Sequence, residues 1–188
     1  MSGLTINQKV ISWAHGQLGK QVGRGECWDL ADQALRKAGA HSSNTTDADA
    51  DYEWGEAIKL ADAGPGDVLQ FRNYSVTTTT TTTKKFTDGT EDTETEEETV
   101  ERPHHTALVD TNPGNGWINI VEQNAPPKGK RVQKFKMATR TMDIPAKTVH
   151  KSIKNPVTKK IAPATITTEV SIVVSGTVSA YRPEAPSE

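Results

Sequence analysis

The feature that most constrains the fold is a change in hydrophobic period around residues 63–67. Before it, apolar residues recur at helical spacing over residues 10–18 and again over residues 27–38. After it, short apolar runs have a period of two, beginning at residues 68–71. Helices followed by antiparallel strands form an α+β fold. The chain of 188 residues is therefore predicted to be a single domain, 1–188, with N-terminal helices packed on an antiparallel sheet.

Short local signals mark the ends of these elements. Thr5 and Gln8 have the spacing of a capping box at the start of the first helix, and Gly39 is a C-terminal stop for the second. Residues 54–61 keep a weak helical spacing, which predicts a short third helix. The later strands are expected near residues 107–109, 117–121, 131–142 and 166–181.

The middle of the chain predicts a long polar insertion. The hydrophobic fraction is 34%, which is low for a globular protein and indicates that part of the chain lies outside the core. Residues 77–83 are an unbroken run of threonine, a β-branched residue that fits a strand, and Asp88-Gly89 is typical of a two-residue hairpin turn. Residues 75–102 are therefore predicted to form an extended polar β-hairpin insertion, in which a two-residue turn places Lys85 opposite Asp92. A flexible insertion is the alternative.

The charge distribution bears on partners. Formal net charge is -2, so the chain as a whole has no bias towards nucleic acid or an anionic membrane. Residues 128–160 form a basic and irregular stretch, and residues 87–101 form an acidic one. The basic segment 128–160 is a candidate docking surface for an acidic partner. The alternative is that both stretches are ordinary solvated surfaces.

Localisation signals are absent from the sequence. No run approaches the roughly 18 apolar residues of a membrane span. Residues 1–20 lack the basic start and apolar stretch of a signal peptide. The sequence therefore predicts a soluble, unprocessed protein with no membrane span, which would be cytoplasmic if the sequence is complete.

The chain has a single cysteine, Cys27, and its setting is that of a nucleophile. It follows a glycine-broken loop and begins the second predicted helix, where the helix dipole and unpaired N–H groups stabilise a thiolate. The same N–H groups can hold an oxyanion as a tetrahedral intermediate forms. A lone cysteine is otherwise most often a small buried apolar residue, which is the alternative here.

A thiolate nucleophile needs a base, and the best candidate is His105. His104 and His105 enter a predicted strand and must point to opposite faces; His105 shares its face with small apolar residues suited to lie under a helix. Glu122 and Asn124, which share a face of the next strand, are candidates to orient the imidazole. A second cysteine, a His-Glu-x-x-His motif and a Gly-x-x-x-x-Gly-Lys loop are all missing, so no metal or cofactor is predicted.

Four blocks of the sequence, in order, resemble the CHAP and NlpC/P60 superfamily of cysteine hydrolases. That resemblance implies a papain-like fold and hydrolysis of an amide bond, often in a peptidoglycan peptide. It marks Cys27, His105 and either Glu122 or Asn124 as catalytic, and Gln21 stands where papain-type enzymes have an oxyanion-hole glutamine. The blocks are Gly25-Glu26-Cys27-Trp28, residues 65–71, residues 105–109 and Glu122-Gln123-Asn124.

A second resemblance points to a less active relative. Residues 176–183 and the Cys27-Trp28 pair are similar to a cysteine-peptidase-fold domain of certain fungal cortical actin-patch proteins, and such domains need not be active enzymes. Two functions are therefore expected. One is a cysteine hydrolase that cleaves a peptidoglycan peptide, an isopeptide or a protein amide through an acyl-enzyme. The other is a catalytically silent interaction module.

Overall fold

The computed structural model describes residues 3–47 and 50–186, which form mostly antiparallel sheet with two helices. This confirms the α+β expectation in its coarse form. The helices are α1 (Ile6–His15) and α2 (Cys27–Ala38). The strands are β1 (Glu56–Ile58), β2 (Val68–Phe86), β3 (Glu91–Thr111), β4 (Trp117–Glu122), β5 (Gln133–Ala138), β6 (Met142–Lys154) and β7 (Ile161–Arg182).

Both helices begin where the sequence predicts, and α2 also ends there, whereas α1 ends at His15, before the end of the predicted helical spacing at residue 18. Thr5 and Gln8 form the capping box of α1: the Gln8 N–H donates to the Thr5 hydroxyl at 3.2 Å, and the Thr5 N–H donates to the Gln8 side chain at 2.9 Å. α2 ends at Gly39, whose φ of 77° is the left-handed conformation that glycine adopts without steric cost.

The helices bury their apolar faces in one core with part of the sheet. Leu30 and Leu35 of α2 pack in a cluster that includes Trp54, Leu108 and Val121, all at most 1% exposed. Burying a side chain of this size stabilises the fold by about 1.5–3 kcal/mol. Leu108 and Val121 are direct partners in the β3–β4 ladder, so this pair places the helices over the two strands that carry the predicted base and its orienting residue.

The strands follow the order β1-β7-β2-β3-β4-β5, and β6 pairs with β7. β4 lies between β3 and β5: Ala107 opposes Glu122, and Glu122 opposes Gln133. The end of β4 is therefore flanked by polar or small residues from both neighbours.

Two local predictions are wrong. Residues 54–61 do not form a helix: they contain β1 and a single 3₁₀ turn, Leu60–Asp62, and β1 pairs with the end of β7. The basic stretch is not irregular, because residues 142–154 are β6, paired with β7 along most of its length. A strand with one buried face shows alternating apolar and polar residues. This alternation is weak in β6, because the side chains on both of its faces are mostly exposed.

The described residues divide into two compact units. The first comprises residues 3–75 (without 48 and 49), 101–139 and 175–186, and it contains both helices and every predicted site residue. The second comprises residues 76–100 and 140–174. The basic segment 128–160 is thus shared between the units.

The second unit contains the Asp88-Gly89 turn, but the loop has three residues. The Phe86 N–H donates to the Thr90 carbonyl at 2.9 Å, and Gly89 is left-handed with a φ of 86°. This is a type I turn closed by a glycine bulge and not the predicted two-residue turn. The register shifts by one residue, so Lys84, and not Lys85, pairs with Asp92, at 3.0 Å.

The turn before β2 ties the first unit together. Asp67 is fully buried; its carboxylate accepts hydrogen bonds from the Asn7 amide at 2.6 Å and the Arg182 guanidinium at 3.1 Å. Gly66 has a φ of 87°, and a Cβ there would lie 2.2 Å from the Asn7 carbonyl oxygen. Only glycine permits this approach, which explains the Pro-Gly-Asp sequence at the start of the sheet.

Among the described residues, no helix is long and apolar enough to cross a membrane.

Candidate active site

The loop before α2 holds Cys27 at the first position of the helix. Gly23 has a φ of 55°, and a Cβ there would lie 2.9 Å from the Asp29 side chain, so the loop turns tightly against the helix. The nearly buried Asp29 accepts the Arg24 N–H at 2.7 Å and the Arg24 guanidinium at 2.9 Å. Burial raises the pKa of Asp29, but these hydrogen bonds outweigh it, so the pKa lies below its ordinary value.

Gln123 fixes the same loop to the end of β4. Its side chain is completely buried; it accepts the Val22 N–H at 2.7 Å and donates to the carbonyls of Val22 at 3.0 Å and Glu26 at 2.8 Å. The residue next to Glu122 thus positions the loop that leads into Cys27. The sequence analysis did not single out this role.

His105 lies between Cys27 and Glu122. The imidazole is buried, and its Nε2 is 3.0 Å from Glu122 Oε2. The His105 side chain also lies beside the Cys27 thiol, close enough for the two groups to shift each other's pKa. Because Nε2 is held by the carboxylate, Nδ1 is the ring nitrogen that remains for the thiol. The order thiol, imidazole, carboxylate is that of a catalytic triad.

Glu122 is completely buried and accepts hydrogen bonds from three side chains. Arg102 binds it in bidentate fashion, with Nε 2.9 Å from Oε2 and Nη2 2.8 Å from Oε1. Gln133 donates to Oε1 at 2.9 Å, and His105 is the third donor. Arg102 is itself 5% exposed, and its guanidinium lies 5.1 Å from the centre of the Phe135 ring. The sequence analysis missed both Arg102 and Gln133.

The thiol and the imidazole shift each other's pKa. Burial raises the pKa of the Cys27 thiol, but the hydrogen bond and charge of His105 outweigh it, so the pKa lies below its ordinary value. Burial lowers the pKa of His105, but its bonds to Cys27 and Glu122 outweigh that, so the pKa lies above its ordinary value. Both shifts favour a thiolate–imidazolium pair. The pKa of Glu122 is lowered, against the effect of burial, by His105 and Arg102.

The side chains of Asn124 and Gln21 form other hydrogen bonds. Asn124 has a φ of 63°, and its amide donates to the Glu26 carboxylate at 2.7 Å; of the two orienting candidates, it is Glu122 that contacts His105. The side chain of Gln21 is exposed and donates to the Gly23 carbonyl at 3.4 Å.

The helix does not lie over the residues expected to share a face with His105. Ala107 and Val109 are buried outside the cluster that surrounds the helices, whereas Leu108 is inside it. That expectation is wrong, because α2 packs on the face of β3 that carries Leu108.

His104 lines the same cleft as Cys27. Its Nε2 is 2.9 Å from the Ala50 carbonyl oxygen, and its ring packs on Tyr52 with centroids 5.4 Å apart. The cleft has a volume of about 530 Å³. It is lined by Arg24, Glu26, Cys27, Trp28, Thr46, Tyr52, His104 and Asn124.

Comparison with known proteins supports a cysteine proteinase-type fold. The family model described as the AIM3/BBC1 cysteine proteinase-fold domain matches residues 3–186. The chain is 32% identical over 134 residues to Altered inheritance of mitochondria protein 3 of Debaryomyces hansenii. The match covers 63% of this chain and only 13% of that protein. No solved structure matches the chain.

These findings bear on the two resemblances differently. They support the resemblance to a fungal cysteine-peptidase-fold domain, and they do not support a specific assignment to the CHAP and NlpC/P60 superfamily. The chain belongs to the AIM3/BBC1 cysteine proteinase-fold domain family.

Proposed function

We propose that this chain is a papain-like cysteine hydrolase that cleaves an amide bond through an acyl-enzyme. The observation that carries the proposal is the contact of Cys27, the first residue of a helix, with a buried imidazole whose Nε2 is held by Glu122 at 3.0 Å. Such a thiol is a thiolate at a pH where an ordinary one is protonated.

The reaction follows from the arrangement. The Cys27 sulfur attacks the amide carbonyl carbon, and the resulting oxyanion collapses as His105 gives its proton to the leaving amine. Water then attacks the thioester while His105 takes up the water proton, and the thiolate leaves with release of the carboxylic acid. Glu122 keeps the imidazole oriented through both steps. Another amine in place of water would give acyl transfer.

The oxyanion is stabilised by main-chain N–H groups in the first turn of α2. These groups lack partners within the helix, and they lie at the positive end of its dipole. Gln21 would add a donor only after its side chain leaves the Gly23 carbonyl, which it contacts at 3.4 Å. Its exposure permits that rotation.

The substrate is a peptide segment that enters the cleft beside Trp28 and Tyr52. Aromatic walls favour the apolar parts of a peptide, and a volume of about 530 Å³ holds a few residues. A peptidoglycan peptide, an isopeptide and a protein amide all present the reacting carbonyl in this way.

A second candidate is an interaction module with the same cleft and no turnover. The observation that favours it is the ion pair of Arg102 with Glu122, in which a buried guanidinium already balances the carboxylate charge. Less of that charge is then available to stabilise an imidazolium, and a weaker base activates the thiol less.

An electrophilic thiol probe distinguishes the two functions. A peptidyl vinyl sulfone reacts much faster with an activated thiol than with an ordinary one, so we expect stoichiometric labelling of Cys27 near neutral pH within minutes. The Cys27→Ser variant is the control for labelling elsewhere. Labelling no faster than that of the unfolded protein would remove the hydrolase proposal and leave the interaction module.

A further inference from the structure

The second unit has two strand edges of opposite charge. Within residues 3–47 and 50–186, β6 pairs only with β7, and residues 91–100 of β3 have only β2 beside them, since the β3–β4 pairs begin at Ala107. Each edge therefore carries a row of main-chain N–H and C=O groups with no neighbouring strand in the described residues. Long open edges of this kind are templates for another strand.

The first of these edges, residues 91–100, is termed the acidic edge. It has six acidic residues and no basic one. Lys84 and Lys85 of the neighbouring strand form ion pairs with its first part. No ion pair within the described residues involves its second part, Glu96, Glu97 and Glu98, and all three are exposed.

The second, residues 147–154 of β6, is termed the basic edge. It contains Lys147, Lys151 and Lys154 together with His150, and it has no acidic residue. These lysines are exposed, and none forms an ion pair among the described residues. Pro145 and a shift in the β6–β7 register lie just before Lys147. From Lys147 onwards, β6 pairs regularly with β7, and the basic edge begins at this residue.

The charges decide which edges can meet. Two acidic edges, or two basic edges, would place like charges opposite each other across the new ladder, which destabilises the pairing. An acidic edge against a basic edge places opposite charges there instead. The lengths also match, because strands of ten and eight residues extend about 33 and 26 Å at 3.3 Å per residue.

We propose that the acidic edge of one chain pairs with the basic edge of a second copy of this chain as adjacent β-strands. Main-chain hydrogen bonds and the opposite charges together supply the affinity, and the charges also select the partner edge and its register. The second copy is the acidic partner that the basic segment would bind. Because the two edges differ, the contact is head-to-tail and generates rings or open filaments. The association does not depend on the thiol chemistry of the first unit.

Sedimentation velocity of the full chain tests the proposal. At low salt, we expect the average mass to rise with concentration from that of one chain to at least twice that value. It should return to one chain in 1 M salt, where the Debye length falls to about 3 Å. A chain that remains monomeric at every concentration at low salt, or an assembly that ignores salt, overturns the proposal.

Charge reversal identifies the edges. The triple variant Lys147→Glu, Lys151→Glu, Lys154→Glu and the triple variant Glu96→Lys, Glu97→Lys, Glu98→Lys should each be monomeric. The first variant then carries two acidic edges, and in the second the part of the acidic edge that lacks ion pairs, residues 96–98, has become basic like the basic edge. An equimolar mixture of the two variants should assemble again, because every edge regains an opposite partner, and a variant that merely failed to fold would not be rescued.

Two further measurements complete the test. The control Lys9→Glu, Lys37→Glu reverses two exposed lysines of the first unit and should associate like the original chain. Loss of association in this control, or no loss in either triple variant, contradicts pairing through these edges. A chain that stays monomeric but binds a synthetic lysine-rich peptide at its acidic edge would assign that edge to a different partner and likewise overturn the proposal.

Discussion

Replacing His105 with Ala is expected to slow the alkylation of Cys27 by iodoacetamide near neutral pH by about tenfold or more. Burial raises the pKa of the thiol and the imidazole lowers it, so removal of the imidazole leaves burial opposed only by the smaller effects of the Thr106 and Trp28 main chain, and the pKa rises. Each unit of upward shift reduces the thiolate fraction about tenfold below the new pKa. The rate measured from pH 5 to pH 10 should therefore keep its shape and move to higher pH.

His104→Ala is the matched control. It removes the same side chain one position earlier, from the wall of the same cleft, but the ring contacts Ala50 and Tyr52 and is not among the groups that shift the pKa of Cys27. Access to the thiol changes in this variant, and the midpoint of the pH profile does not. If the midpoint moved in His104→Ala and not in His105→Ala, the base would be His104, and its assignment to His105 would be wrong.

Arg102→Met is expected to lower the free energy of unfolding by about 3–5 kcal/mol, as is usual when one partner of a buried ion pair is removed. The carboxylate of Glu122 is completely buried and would keep only His105 and Gln133 as donors. Urea denaturation measures the loss. Arg102→Lys keeps the charge without the bidentate geometry, so its free energy of unfolding should fall by less. This variant replaces Arg102→Met in the measurement if Arg102→Met does not fold.

The same variant predicts a change in acid stability. Since the pKa of Glu122 is lowered in the folded chain, its contribution to stability is complete above the unfolded value of about 4.3 and is lost as the pH falls through the folded pKa. Without Arg102 the folded pKa rises, so acid unfolding should begin at higher pH. Lys85→Met is the control: it breaks the exposed pair with Glu91 and should cost at most about 1 kcal/mol. Equal losses in the two variants would contradict the structural role given to the buried pair.

The parts of the site that the sequence predicts depend on local rules. A cysteine after a glycine loop at the start of a helix, a histidine at a strand entrance and a carboxylate at the end of the next strand are each visible in short windows. The structure brings Cys27, His105 and Glu122 together. Side-chain alternation also allowed Asn124 as the orienting residue, because it is two residues from Glu122 and so would share its face of the strand. Its left-handed backbone, with a φ of 63°, directs its side chain to Glu26 instead.

Arg102 could not be predicted in the same way. Alternation assigns Arg102 and His105 to opposite faces of β3, yet both side chains reach Glu122. The long arginine side chain and the local course of the strand decide this contact, and neither leaves a pattern in the sequence. Gln123 and Gln133 were missed because a buried polar residue looks like a solvated one until its partners are known.

The arrangement of the second unit was predicted only in part. A hairpin around Asp88-Gly89 was expected from its turn residues, but whether the loop has two or three residues depends on a single hydrogen bond between Phe86 and Thr90. That one residue changes every cross-strand pair. β6 was missed because nearly all of its side chains are exposed in the hairpin that it forms with β7, so its composition lacks the alternation of a half-buried strand.

The most direct measurement of the central claim is the reaction of the chain with p-nitrophenyl acetate. If Cys27 forms an acyl-enzyme that water resolves, nitrophenolate should appear as a burst equal to the protein concentration, followed by slower steady release. Mass spectrometry during the burst should place one acetyl group on Cys27, and the group should then disappear. Cys27→Ser should give no burst. A burst of the same size in Cys27→Ser, or an original chain with no burst at all, would contradict the account.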